Sequence, residues 1–230
     1  MTTIPRRAYH ARLARLFDIG LATLGLIVLS PVIVLVSIAI VAETGRPILF
    51  AQTRLGVDGR HFRMLKFRKF RPDTGNARLP LTMKGDARMT RVGRFLAISK
   101  LDELPQLVNI LRGEMAVVGP RPESLELADC FTEATRPVLA HKPGIFGPSQ
   151  WAFRNESALF PPDVDPVAFY RQTLFPAKAR LDLAYYPGRT LASDLKWIAL
   201  CCLAILGVGS EPERAIADAG LADSPPLHSR

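Results

Sequence analysis

The stretch Ser99-Lys-Leu-Asp-Glu-Leu-Pro-Gln-Leu-Val-Asn-Ile-Leu-Arg-Gly-Glu-Met-Ala-Val-Val-Gly-Pro-Arg-Pro-Glu123 is the one the rest of the chain is organised around. Leu104, Leu107, Val108 and Leu111 recur at helical spacing, which predicts a helix with one buried face. Proline is tolerated only in a first turn, so Pro105 sets the helix start near Asp102. Gly113 ends the helix, and Met115–Val118 reads as a short buried strand running into the stiff loop Pro120-Arg121-Pro122. An adjacent carboxylate pair, Asp102 and Glu103, therefore stands at the positive end of a helix, with a braced guanidinium close behind. Two readings are open at this point. First-turn acids commonly cap a helix and complement its dipole. Alternatively, the helix end holds an anion while one carboxylate attacks it and the other holds a cation.

The chain has 230 residues, enough for one good core or a core with an appendage. Its 48% apolar content is high for a soluble protein, and the excess is concentrated in a few segments. A net charge of +9 implies acidic partners: nucleic acid, nucleotide phosphates or anionic lipid headgroups. Cys130, Cys201 and Cys202 show no metal-ligand spacing, and the adjacent pair is a poor disulfide candidate. That usage fits a reducing, cytosol-facing location.

The largest apolar concentration runs uncharged from Leu21 to Ala42, behind a basic stretch holding Arg6, Arg7, Arg12 and Arg15. It is too long for a signal-peptide core, and no small-residue cleavage site follows it. At about 1.5 Å per residue it is long enough to cross a hydrocarbon core of about 30 Å. Ser30-Pro31 falls in its middle, where proline removes a backbone donor, and the Ser30 hydroxyl is placed to serve the freed carbonyl. Basic residues also follow the segment, from Arg46 through Arg71, so both flanks prefer the cytoplasmic side. A helix that enters, bends at Ser30-Pro31 and leaves on the same face satisfies both flanks. A single span with a mild kink is the commoner use of such a segment.

Beyond it, Ile48–Arg54 and His61–Arg68 read as strands around Gly56-Val-Asp-Gly59, whose Asp-Gly pair is a hairpin signal. The second strand interleaves basic and apolar residues. It either lies on an anionic membrane surface or turns one cation, Lys66, inward to a phosphate. Aromatic-basic interleaving in one strand carries little specificity for nucleic acid. Arg71–Thr90 is a loop rich in Pro, Gly, Asn and Asp, leading into a helix over Arg91–Ser99. Helices are predicted around Ser124–Thr135 and over Asp165–Ala184, the latter interrupted near Pro176. Between them a Gly/Pro-punctuated loop, Lys142–Glu156, can carry Gln150, Arg154 and Asn155 into a cleft. The apolar run Trp197–Val208 is too short to span and reads as a core or interface-lying helix.

Taken in order, several motifs resemble the bacterial sugar transferases, also called monotopic or small phosphoglycosyl transferases. They are Arg15-Leu-Phe-Asp18, Ser30-Pro31, Phe50-Ala-Gln-Thr-Arg-Leu-Gly56, Phe62-Arg-Met-Leu-Lys-Phe-Arg68 and Thr90-Arg-Val-Gly-Arg-Phe95. Leu101-Asp-Glu-Leu-Pro-Gln-Leu107, Val118-Gly-Pro-Arg-Pro122, Lys142-Pro-Gly144 and Leu181-Asp-Leu-Ala-Tyr-Tyr186 complete the series. The resemblance covers roughly residues 12–207 and decides between the two readings of the carboxylate pair. It implies a mainly helical α+β fold: a re-entrant membrane helix-hairpin over residues 1–45, broken at Ser30-Pro31, and a small cytosolic catalytic domain over 46–209. That domain carries a β-hairpin and interface-lying helices, and a polar, disordered tail is expected over 210–230.

The same resemblance implies transfer of a sugar-1-phosphate from a UDP-sugar to undecaprenyl phosphate, with release of UMP. Asp102 would be the nucleophile that carries the phosphosugar, and Glu103 would hold Mg²⁺. Lys66, Arg121, Arg154 and Gln150 would bind substrate or phosphate. The implied setting is the bacterial inner membrane, with its lipids and either a single chain or a homodimer, and no nucleic acid. The rival in another class is a catalytically silent membrane-bound adaptor of a glycan-assembly complex. Three departures bear on the sugar and nucleotide contacts. Lys69-Phe70 stands where the family usually has Thr-Met, Lys100 stands where a small residue precedes the acidic pair, and residues 146–151 alter a usual Thr-Gly-aromatic loop. No multi-span domain precedes the hairpin, as larger relatives carry, so the minimal form is expected.

Overall fold

The computed structural model describes residues 6–71, 86–161 and 163–207. Most of the Arg71–Thr90 loop and the tail expected over 210–230 lie outside them.

The uncharged segment forms two helices, α1 (Arg6–Val28) and α2 (Ser30–Thr44). They meet at a bend of 60°. Pro31 has no N–H to give Ile27, and the Ser30 hydroxyl donates to that carbonyl at 2.8 Å. Among the described residues no single helix is long and apolar enough to cross a membrane; the bent pair meets the criteria of length and composition only together. Leu24, Ile27, Val34, Leu35 and Ile38 are exposed on this pair, whereas Ala22, Val36 and Ile40 are buried against the rest of the chain. An exposed apolar surface of this extent marks a lipid- or partner-facing element.

Four side chains tie the helix pair to the domain through polar contacts. The Arg15 guanidinium donates to the carbonyls of Ile110 and Leu111 at 2.6 and 2.8 Å. Val117 N donates to the buried Asp18 carboxylate at 2.9 Å. The Arg68 guanidinium donates to the Thr44, Gly45 and Arg46 carbonyls, closing the last turn of α2. Glu43 accepts from the N–H groups of Arg91 and Val92, so it caps α3 (Arg91–Ser99).

The expected hairpin is formed by β1 (Leu49–Leu55) and β2 (His61–Phe67), antiparallel with Leu49 opposite Phe67. Its turn holds Asp58 and Gly59 at φ 55° and 75°, the left-handed region that Asp and Gly tolerate. Strand alternation places Phe62, Met64 and Lys66 on one face of β2. Beside that strand runs α4 (Gln106–Arg112), whose buried Asn109 acts as a substitute strand edge. It accepts from Leu65 N at 3.0 Å and donates to Arg63 O at 2.8 Å. The pairing sets how far Lys66 lies from the turn that precedes α4.

A second sheet pairs β3 (Ala116–Val118) with β4 (Gly144–Phe146) in parallel. Here the Val118-Gly-Pro-Arg and Lys-Pro-Gly motifs meet. A Cβ on Gly119 would lie 2.1 Å from the Lys142 carbonyl oxygen, so both glycines serve close backbone approach. Gln150 completes the joint from the short helix α5 (Pro148–Ala152), donating to Gly119 O at 2.7 Å and Gly144 O at 3.2 Å.

Two expected helices differ from the structure. Residues around Ser124–Thr135 form a 3-10 turn, Leu125–Cys130, and a second follows at Arg136–Ala140. The Thr135 hydroxyl donates to Cys130 O at 2.8 Å, taking an acceptor that a continuing helix would use. The interruption expected near Pro176 is a π-turn, Tyr170–Leu174, joining α6 (Pro166–Phe169) to α7 (Phe175–Tyr185). Phe175 N bonds back to Tyr170 O, and this wide turn leads into the proline that has no N–H of its own. The last apolar run forms α8 (Leu191–Ile205), capped by Thr190 and Ser193.

Within this core, Asp182 is buried with one oxygen accepting from the Ser149 hydroxyl at 3.0 Å and the other unpartnered. Burial pushes its carboxyl up from 3.8 to about 7, against the hydrogen bonds from Ser149. Because the folded value lies above the unfolded one, its stabilising contribution is full below 3.8 and is lost as pH rises through about 7. The melting temperature is therefore expected to fall over that window. Asp182→Asn, which mimics the protonated acid, should flatten the decline; an unchanged slope in thermal melts would assign it to other groups.

Candidate active site

The acidic pair lies on a 3-10 turn, Leu101–Glu103, with α4 beginning after Pro105 rather than at Asp102. Lys100 enters the turn in the left-handed conformation, φ 59°. This reversal turns the chain sharply out of α3 and directs both carboxylates toward β2. Asp102 is only 2% exposed. A carboxylate so buried persists as an ion only if cations face it.

Four cations surround the pair. Lys66 Nζ lies 2.8 Å from Glu103 Oε1 and 3.9 Å from Asp102 Oδ2. Arg121 Nη2 is 3.6 Å from the same Glu103 oxygen. Lys69 Nζ is 3.4 Å from Asp102 Oδ2. Lys100 adds its field to Glu103. Burial alone would raise the Glu103 carboxyl, but Lys66, Arg121 and Lys100 overcome it and hold the group well below the ordinary glutamate range. Burial conversely lowers Lys66, against the opposing pull of Glu103 and Asp102. Four positive groups around two negative ones leave a surplus that favours an anionic ligand.

Arg121 is held as its flanking prolines suggest. Gly144 N donates to Pro120 O at 2.9 Å, Leu55 N to Glu123 O at 3.0 Å, and Arg54 Nη1 to Pro122 O at 3.2 Å. Its side chain remains 39% exposed, open to the cleft. That cleft measures about 1620 Å³ and runs from Leu21, Gly25 and Leu29 on the helix pair, past Lys66, Asp102 and Arg121, to Ser149 and Asn155. Beneath the pair a space of about 10 Å³ is lined by Glu103, Lys66, Gln106 and Arg54. Gln106 Nε2 and Arg54 Nε are buried there without partners, which suits one ordered water.

Of the residues expected at the site, Asp102, Glu103, Lys66 and Arg121 come together. Gln150 and Arg154 line the same cleft, and each also donates to backbone carbonyls. Gln150 holds the two glycine loops, as described above. The Arg154 guanidinium donates to the carbonyls of Ile98, Ala204 and Ile205, joining the C-terminal ends of α3 and α8. These bonds staple the two helix ends, and the side chain also lines the cleft.

The sequence reading missed Lys69 as a partner of Asp102. It also missed a buried chain behind Arg121. There Tyr170 donates to Glu123 Oε1 at 2.6 Å, Lys178 Nζ lies 3.1 Å from the Tyr170 oxygen, and Lys178 pairs with Glu156.

A bent apolar helix pair that could insert in a membrane thus borders the cleft holding a cation-ringed carboxylate pair. The chain belongs to the family described as bacterial sugar transferase, which matches residues 9–207. It is similar to the UDP-glucose:undecaprenyl-phosphate glucose-1-phosphate transferase of Escherichia coli (strain K12), with 37% identity over 66% of this chain and 32% of that protein. The putative undecaprenyl-phosphate N-acetylgalactosaminyl 1-phosphate transferase of Bacillus subtilis (strain 168) is 38% identical over 53% of this chain and 68% of its own length. An Aeromonas hydrophila protein, UDP-N-acetylgalactosamine-undecaprenyl-phosphate N-acetylgalactosaminephosphotransferase, is 35% identical over 62% and 34%. The match to the Escherichia coli protein thus spans about a third of its length.

Proposed function

We propose that the chain transfers a sugar-1-phosphate from a UDP-sugar to undecaprenyl phosphate and releases UMP. The observation that carries this reading is a buried nucleophile-type carboxylate inside a ring of four cations, in a cleft that Leu21, Gly25 and Leu29 of the bent apolar helix pair also line. A diphosphate must be neutralised before a carboxylate can attack it, and a lipid-borne phosphate must be met where headgroups lie. The names of the relatives contain both substrates.

Asp102 attacks the phosphorus that bears the sugar. Its Oδ–P bond forms, the bond to UMP breaks, and UMP leaves with the electron pair. An oxygen of undecaprenyl phosphate then attacks the same phosphorus and returns Asp102 to its carboxylate. Lys66 and Arg121 hold charge at the phosphoryl oxygens, and the low exposure of Lys66 strengthens its contact. Among the described residues no group of three His, Cys, Asp or Glu could hold a metal. Glu103 would be the protein ligand of a substrate-bound Mg²⁺, with diphosphate oxygens and water making up the rest. Such an ion supplies charge neutralisation at the diphosphate.

The test is UMP release from a panel of UDP-sugars, with and without undecaprenyl phosphate. Release in neither case would favour the silent adaptor.

The helix pair is read as re-entrant, with the domain on the cytoplasmic face of the inner membrane. Exposed apolar side chains on α3 and at the end of α8, among them Ile98 at 74% and Leu206, just past α8, at 78%, extend the lipid-facing surface beyond the hairpin. Cysteines placed singly at positions 8 and 60, in a chain lacking Cys130, Cys201 and Cys202, should both label only from the cytoplasmic side. Labelling at position 8 from outside the cell would establish a true span.

A further inference from the structure

Resting on the transfer reading above, we propose that Lys69 is a further catalytic residue. It is the counter-ion of Asp102 in the resting site, and passes to the phosphoryl oxygens as Asp102 attacks.

Lys66 stands 2.8 Å from Glu103 but 3.9 Å from Asp102, and Arg121 also faces Glu103. Lys69, at 3.4 Å, is the nearest of these cations to the Asp102 oxygen. Its backbone is fixed from two directions. Thr90 N donates to Lys69 O at 3.0 Å, and the α-carbon of Gly93 lies so close that a Cβ there would meet that oxygen at 2.0 Å. The side chain is 18% exposed and lines the cleft, with its ammonium 5.7 Å from the centre of the Phe70 ring. It is therefore pre-placed and still within reach of a ligand.

Charge accounting gives the residue its task. Asp102 carries one negative charge before attack. Once the Oδ–P bond has formed and UMP has left, the acyl ester is neutral and the phosphosugar diester retains one negative charge on its non-bridging oxygens. The carboxylate's charge departs on UMP, and the anion left for Lys69 to face is the diester oxygen across the new Oδ–P bond, with no proton transfer. A flexible ammonium with three donors can follow that movement. Its contact to phosphate is made only as attack proceeds, so it lowers the barrier without tightening donor binding.

The test compares the intact chain in lipid with its Lys69→Met and Lys69→Arg variants. Donors are UDP-hexoses and UDP-N-acetylhexosamines carrying a radioactive β-phosphate, with Asp102→Asn as the blank. Removing one charge-assisted phosphate contact should slow UMP release and protein labelling by about 10- to 100-fold in Lys69→Met. The KM for donor should barely change, and Lys69→Arg should recover most of the rate. A wild-type labelling rate in Lys69→Met would overturn the proposal. So would a raised KM at constant kcat, or equal impairment of both variants with a lowered melting temperature, which marks a structural counter-ion. If wild type releases no UMP from any donor, the transfer reading itself falls first, and the role of Lys69 falls with it.

Discussion

Asp102→Asn is expected to abolish both the covalent label and turnover, a loss on the order of 1000-fold or more. Asparagine keeps the shape of the side chain and the 3-10 turn, so the folded chain should be recovered and its melting temperature compared directly with wild type. What it removes is the anionic oxygen that must bond to phosphorus. Wild type given donor alone should release one equivalent of UMP per active chain and retain the phosphosugar on Asp102. Steady-state rates with lipid should follow ping-pong kinetics, because UMP leaves before the acceptor is engaged. Glu103→Gln should behave differently. It weakens a partner of Lys66 and Arg121 and chiefly impairs metal-dependent turnover, while Asp102 remains able to attack. If wild type withholds UMP until lipid arrives and carries no label, direct transfer replaces the two-step route.

The parts of the site that were legible in the sequence are those set by short-range chemistry. Ser30-Pro31 announced both a missing donor and its replacement, and the structure has that hydrogen bond. Asp58-Gly59 announced a turn that needs positive φ. Pro105 correctly limited where a helix can begin, although the acidic pair sits on a tighter turn just before it.

What the sequence hid depends on contacts between distant segments. The parallel pairing of β3 and β4 needs Gly119 and Gly144 to approach from 25 positions apart, and neither strand is long enough to show a pattern. What Gln150 and Arg154 touch within the fold was hidden, because a polar residue in a loop has the same local appearance whether it meets a ligand or a carbonyl. Only the folded chain shows their amide and guanidinium already bonded to Gly119, Gly144, Ala204 and Ile205. Lys69 was noticed as a departure from the usual pattern, yet its partner emerged only with the approach of Gly93 to its backbone.

Arg121→Lys provides the second large effect, because it keeps the charge and changes only the shape of the donor group. The Pro120-Arg121-Pro122 loop is held by Gly144, Leu55 and Arg54, so the side chain starts from a fixed root. From there the guanidinium lies 3.6 Å from Glu103 while remaining open to the cleft. A planar fork can give two parallel hydrogen bonds to a phosphoryl group and still face a carboxylate edge; an ammonium cannot hold both directions at once. Lysine is also shorter at its charged end, so the Glu103 contact and the phosphate contact would compete for it. Loss of one charge-assisted hydrogen bond in the transition state corresponds to about 1.5–3 kcal/mol, or roughly 10- to 100-fold in turnover. Folding should be little affected, because the loop is anchored through its backbone rather than through this side chain. The measurement is kcat and KM for donor in Arg121→Lys beside its melting curve. Near-normal turnover would show that charge alone suffices at this position, and would leave Arg121 as a counter-ion of Glu103 rather than a clamp on phosphate.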